Sequence, residues 1–167
     1  MTYKPKTWLD KLADKEGMPK ILPLEERFPC YNALRKMGVA VGEPVVLVNP
    51  REVVALMRQV PHGRLTTLVE ICHHLARVHQ VKGCCTLTAG IFVMTAANAV
   101  FEAGSTQPEL DIPYWRILKA EGFLNEKFPG GAAAHKALLE QEGFTVARKG
   151  TRFSVENYRD FLLAEFS

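Results

Sequence analysis

The sequence predicts a mainly α chain with short β elements. Three observations carry this. Four segments, near 50–60, 67–80, 86–101 and 132–142, have helical periodicity or composition between start and stop signals. The stretches between them are broken by Pro and Gly. The runs that read as strands, near 44–48, 112–118, 144–147 and 151–155, are all short.

The elements follow in order. Thr7–Lys15 reads as a short helix stopped by Gly17, Cys30–Met37 as another stopped by Gly38, and Pro44–Val48 as a strand. Asn49-Pro50-Arg51 is a helix start, an Asn cap followed by Pro at the first helical position. Val53, Val54, Leu56, Met57 and Val60 give that helix an apolar face, and Pro61 and Gly63 end it. Thr67 with Glu70 makes a capping-box pattern for the next helix, whose Leu68, Ile71, Cys72, Leu75 and Val78 are expected inward. Thr86–Phe101 is nearly free of charge and rich in small residues, so it is buried or touches something narrow. After a polar loop, Ile112–Leu118 reads as a short strand or extended turn. Ala132–Glu142 is a helix with Leu138 and Leu139 inward. Phe144–Ala147 and Thr151–Val155 pair as a hairpin around Lys149-Gly150, and Glu156–Phe166 reads as a last amphipathic helix. This divides the chain into an N-terminal extension (1–49), a central domain (50–145) and a C-terminal hairpin and helix (146–167).

Composition narrows the function. Of 167 residues 47% are hydrophobic, enough for a core, and 23% are charged. The longest apolar stretch, Ala89–Val100, is shorter than a bilayer requires, and the charged N-terminus does not read as a signal peptide. A soluble cytoplasmic monomer without membrane attachment is the expectation. The formal charge is +3, yet residues 50–145 carry nine Lys/Arg against nine Asp/Glu. Charge therefore makes no case for nucleic acid, whose binders usually present a basic face. Cys30, Cys72, Cys84 and Cys85 read as reduced, packed thiols. Cys72, His73, His74 and His79 contain no CxxC or HxxxH pair, so no metal is expected, and no cofactor is implied.

A series of motifs occurs in one order over about ninety residues. REVVALMRQVPHGRLTTLVEIC spans Arg51–Cys72, and IPYWRI spans Ile112–Ile117. Glu121-Gly122 and Pro129-Gly130-Gly131 follow, then Leu138-Leu139-Glu140-Gln141-Glu142-Gly143. Together they resemble the C-terminal domain of alkylguanine-DNA alkyltransferases (methylated-DNA–protein-cysteine methyltransferases). The resemblance implies a winged helix-turn-helix domain of the alkyltransferase type, with the helices from 67 and 86 as its helix-turn-helix. It also implies docking of small-faced Thr86–Phe101 in the DNA minor groove.

The departures point away from chemistry. Active members carry P-C-H-R, where the thiol accepts the alkyl group and a His–Glu relay lowers its pKa. Here Tyr114 stands at the thiol position and Trp115 at the His position, although Glu142 matches the family Glu. A phenol is a poor acceptor for methyl transfer. Leu68 replaces the Tyr that helps rotate the target nucleotide, and Leu87 replaces the Arg that fills the vacated stack. Asn98 corresponds to the family's hinge Asn.

The family includes alkyltransferase-like proteins without the Cys, which bind alkylated bases and recruit repair factors. The resemblance thus implies a non-catalytic binder of double-stranded DNA carrying alkylated bases, with a protein as a further partner. Its base pocket is expected at Tyr114, Trp115, Arg116, Leu87, Gly130, Gly131 and Glu142. DNA contacts are expected from Thr67, Leu68, Thr86, Thr88, Ala89 and Gly90. Two other readings stand beside this one. The first is a winged-helix scaffold repurposed for a protein or small ligand, which the zero net charge of 50–145 favours. The second is an enzyme using Cys72, Cys84 or Cys85, with Cys84 near a helix N-terminus.

Overall fold

A computed structural model describes residues 2–13, 15–104 and 110–167. Its elements are α1 (Trp8–Lys11), β1 (Lys20–Pro23), α2 (Tyr31–Lys36), β2 (Pro44–Leu47), α3 (Pro50–Gln59), β3 (Thr66–Thr67) and α4 (Leu68–Val78). They continue with β4 (Gly83–Cys84), α5 (Thr86–Ala103), β5 (Ile117–Leu118), α6 (Gly131–Gln141), β6 (Val146–Lys149) and β7 (Arg152–Val155). Single 3-10 turns lie at Tyr114–Arg116, Ala120–Gly122 and Tyr158–Phe161. This is the mixed, mainly helical winged helix-turn-helix architecture expected, with α4 and α5 packed as the helix-turn-helix pair. Most of the polar loop expected after α5, residues 105–109, lies outside the described residues.

The caps work as the sequence implies. Asn49 accepts from the Arg51 N–H at 3.1 Å, and Glu52 reaches back to the Asn49 N–H at 2.9 Å, so α3 starts in a reciprocal box. The Thr67 hydroxyl accepts from the Glu70 N–H at 3.2 Å and starts α4. In α4, Ile71, Cys72, Leu75 and Ala76 are buried, but Val78, the last residue of the helix, is 56% exposed.

α5 is the central helix. Its eighteen residues make it long and apolar enough, by length and composition, to cross a membrane. α1, α3 and α4 all pack on it. Its Ala89, Phe92, Val93, Ala96 and Ala97 join Val53, Met57, Ile71, Cys72, Ile112 and Tyr114 in the largest core cluster. Small residues on several sides are what allow so many neighbours to approach.

Three small sheets tie the helices together. β2 pairs antiparallel with β1 (Val46 opposite Ile21) and parallel with β4 (Val46 opposite Cys84). The sequence shows Met18–Phe28 only as a Pro-punctuated segment, and β1 within it forms through this pairing. Gly83 is required there, because a Cβ on it would sit 2.7 Å from both Leu34 and Val39. β3 pairs parallel with β5, Thr66 opposite Ile117. β6 and β7 form the expected hairpin, closed by Gly150-Thr151 with Lys149 opposite Arg152.

Two helices differ from expectation. α1 covers only Trp8–Lys11 of Thr7–Lys15. Glu156–Phe166 is not a helix: after the Tyr158–Phe161 turn the chain runs extended beside Leu65. The Leu65 N–H donates to Phe161 O at 2.9 Å, and the Leu163 N–H donates to Leu65 O at 2.8 Å. The tail satisfies its backbone across the fold instead of within a helix. Phe166 then packs on His74, with ring centroids 5.2 Å apart.

Candidate functional site

The first half of α5 borders a hollow of about 230 Å³. One wall is Thr86, Leu87, Gly90, Ile91 and Met94, with Leu68 of α4 beside them. The other wall is Lys119, Asn125 and Lys127, from the loop between β5 and α6. Leu87 is 48% and Ile91 46% exposed, one helical turn apart. Gly90 lets Leu68 close in, since a Cβ there would stand 3.3 Å from Leu68 Cδ2. The hollow is therefore apolar on the helix side and polar at the loop side.

Behind it lies a tightly bonded cluster. The Arg116 Nε donates to both Glu142 oxygens, at 3.0 and 3.1 Å, and its Nη1 donates to Val60 O at 2.8 Å. The Trp115 indole N–H also donates to Glu142, and the Gly63 N–H does so at 3.3 Å. Burial pushes the Glu142 carboxyl up, but the Arg116 and Trp115 hydrogen bonds outweigh it and hold the group below the ordinary carboxylate value. The Glu142 side chain is only 7% and that of Arg116 14% exposed, so this is a largely desolvated ion pair.

Tyr114 is 7% exposed and does not line the hollow. Its ring meets Trp115 and Phe128 edge-on, with centroids 5.4 and 5.3 Å apart. Burial raises its pKa above the ordinary 10, so the phenol stays protonated at neutral pH.

His135, fully buried on α6, fastens this cluster to the loop. Its Nδ1 accepts from the Asn125 N–H at 3.0 Å, and its Nε2 lies 2.8 Å from Trp115 O. A backbone N–H only donates and a carbonyl only accepts, so the proton sits on Nε2. Burial lowers the His135 pKa to about 4, and the ring is neutral. One imidazole thus bridges the segment carrying Tyr114 and Trp115 to the wall of the hollow.

The remaining expected residues are spread around this centre. Of the DNA-contact set, Leu68, Thr86 and Gly90 line the hollow. Thr67 and Ala89 are buried, and the Thr88 hydroxyl donates to Cys85 Sγ at 3.3 Å. Gly130 and Gly131 open α6, with φ of +80° and +74°. Gly130 leaves no room for a side chain, because its Cβ would fall 2.6 Å from that of Ala134. Met94, Lys119, Asn125, Lys127 and His135 were not expected. Leu87, Ile91 and Met94 carry a signal, an apolar i, i+4, i+7 stripe on α5; the loop residues carry none.

All four cysteines are buried. Cys30 and Cys85 have their sulfurs 2.7 Å apart, and burial foremost pushes the Cys30 thiol up to about 12. The Cys72 thiol is raised by its hydrogen bond with Cys84 and then by burial. All four are packed thiols, unlike the exposed thiols that act as nucleophiles. Among the described residues no three His, Cys, Asp or Glu side chains gather as a metal site.

Two solved structures are similar to this chain. One is S. pombe Atl1 in complex with damaged DNA containing O6-carboxymethylguanine, at 18% identity and a TM-score of 0.49. The other is S. pombe ATL in complex with DNA, at 17% identity and a TM-score of 0.48. Each similarity covers 70% of this chain and 94% of the other. No curated protein matches. The family model for "6-O-methylguanine DNA methyltransferase, DNA binding domain" matches residues 49–144, which hold α3 to α6, the hollow and the Glu142 cluster. This chain belongs to the 6-O-methylguanine DNA methyltransferase DNA-binding-domain family.

Proposed function

We propose that this protein binds duplex DNA and holds an alkylated base without accepting its alkyl group. The observation that carries the proposal is the hydrogen bond from Trp115 to Glu142. An indole nitrogen is a donor only. It bonds to the carboxylate as an imidazole N–H would, but it has no second nitrogen with which to take a proton from a nucleophile. Tyr114, buried and protonated, adds no nucleophile of its own.

The family's DNA-binding-domain description supports the DNA part of the proposal. The hollow supports the base part. At about 230 Å³ it is smaller than the roughly 300–1,000 Å³ of sites for drug-sized ligands, and it suits one planar base between apolar and polar walls. Leu87 and Ile91, exposed at its edge, are placed to replace base stacking given up when a nucleotide leaves the helix. Tyr114, Trp115 and Arg116 then brace the site from behind.

Fluorescence anisotropy with matched duplexes, one carrying a single O6-methylguanine, tests this together with intact-protein mass. Tighter binding to the modified duplex with unchanged protein mass is expected. A gain of one methyl group per chain overturns the non-catalytic reading. Absence of DNA binding leaves the protein-interaction reading, which the neutral charge of residues 50–145 favours.

A further inference from the structure

The family match ends at residue 144, and the β6–β7 hairpin begins immediately after it. Residues 50–145 carry equal numbers of cations and carboxylates. DNA affinity comes largely from neutralised phosphates. A binder with this central region therefore needs cations from outside it. The hairpin tip has them: Arg148, Lys149 and Arg152 put three cations in five residues with no carboxylate between them, and all three are exposed. None of the three forms an ion pair with a carboxylate among the described residues.

The hairpin is also fastened to the hollow. The Leu124 N–H donates to Phe153 O at 3.0 Å, and Phe123 bridges antiparallel to Ser154, so the loop is pinned to β7 at one point. The Arg152 guanidinium sits 3.8 Å from the Phe123 ring centre. Phe123 O in turn accepts from the N–H of Lys119, a wall residue, at 2.9 Å. The hairpin and the wall of the hollow are thus tied together through Phe123, and Lys119 itself is ion-paired with Glu126 at 3.2 Å. A second hollow brings Arg148, Lys149 and Arg159 together with the carboxylates Glu156 and Asp160, and Arg152 lies outside it.

We infer that the hairpin tip is a second DNA-contacting surface, on which Arg148, Lys149 and Arg152 take backbone phosphates flanking the base held in the hollow. The inference rests on the DNA-binding reading above. It adds a sequence-independent contact that the matched family region does not contain. An acidic protein segment is the alternative anion. The duplex is favoured because the tip is built onto the wall of the hollow.

The test is a salt series of anisotropy titrations with an unmodified duplex. Three chains are compared: the unaltered chain, the triple variant R148Q/K149Q/R152Q, and the gain-of-charge variant Thr151→Lys. The slope of log affinity against log salt should become shallower by about 0.9 for each phosphate left without its cation, so by about 2–3 in the triple variant. Thr151→Lys should steepen it by about 0.9. Thermal melting reports whether the triple variant keeps its fold; if it does not, Thr151→Lys alone decides. Unchanged slopes in the variants that fold overturn the hairpin inference and leave the DNA-binding reading standing. No duplex binding by the unaltered chain overturns both.

Discussion

The indole N–H of Trp115 donates to the Glu142 carboxylate, and the same carboxylate holds the guanidinium of Arg116. Two neighbours in sequence therefore converge on one acid from the far end of α6. The arrangement fixes Trp115 and Arg116, and with them Tyr114, as a brace beneath the hollow.

Glu142→Ala should be strongly destabilising. It leaves the Arg116 charge, with a side chain 14% exposed, held only by Val60 O, and it orphans the Trp115 N–H. Breaking one side of a buried pair costs about 3–5 kcal/mol. Thermal melting should show a fall on the order of 10 °C.

His135 should make stability depend on pH. Its folded pKa is about 4, below the unfolded value near 6.5, so the unfolded chain binds more protons between these limits. The contribution of neutral His135 is complete above about pH 6.5 and is lost as the pH falls towards 4. The total is about 3 kcal/mol, of which about 2 kcal/mol goes between pH 6.5 and 5. Glu142, whose folded pKa is lowered, adds its own loss only in the carboxylate range below this window. His74 is also lowered, by burial and then by Arg77. Denaturant titrations of the unaltered chain beside His135→Gln therefore isolate the slope, which should flatten in the variant.

Tyr114→Ala should cost about 3–5 kcal/mol, as truncation of a core aromatic does. The ring is wedged between Trp115 and Phe128 within the largest core cluster, where a truncated side chain leaves a cavity. Tyr114→Phe keeps both ring contacts and should change stability by less than about 1.5 kcal/mol. Equal DNA affinity for Tyr114→Phe and the unaltered chain is expected in the same titrations. A marked loss of affinity in Tyr114→Phe would instead place the hydroxyl in direct contact with DNA.

Much of the helical frame is legible in the sequence. Asn49, Pro50 and Thr67 announce α3 and α4 because capping is a contact between residues two or three apart. The end of the chain is not. Glu156–Phe166 has a helical pattern, yet its backbone bonds go to Leu65, nearly a hundred residues away, and no local pattern encodes that choice. β1 is invisible for the same reason, since its partner is β2.

By itself the sequence determined the family and the order of the helices from α3 to α6. These depend on residue identity and on interactions within a turn or two. Only the tertiary structure decided that Tyr114 packs behind the hollow instead of lining it, and that Lys119, Asn125 and Lys127 form the facing wall. It also decided that a neutral His135, with its proton on Nε2, joins the two. Each of these outcomes depends on groups brought together from α4, α5, α6 and an irregular loop. Burial and hydrogen-bond partners are set by that packing, and sequence spacing does not carry them.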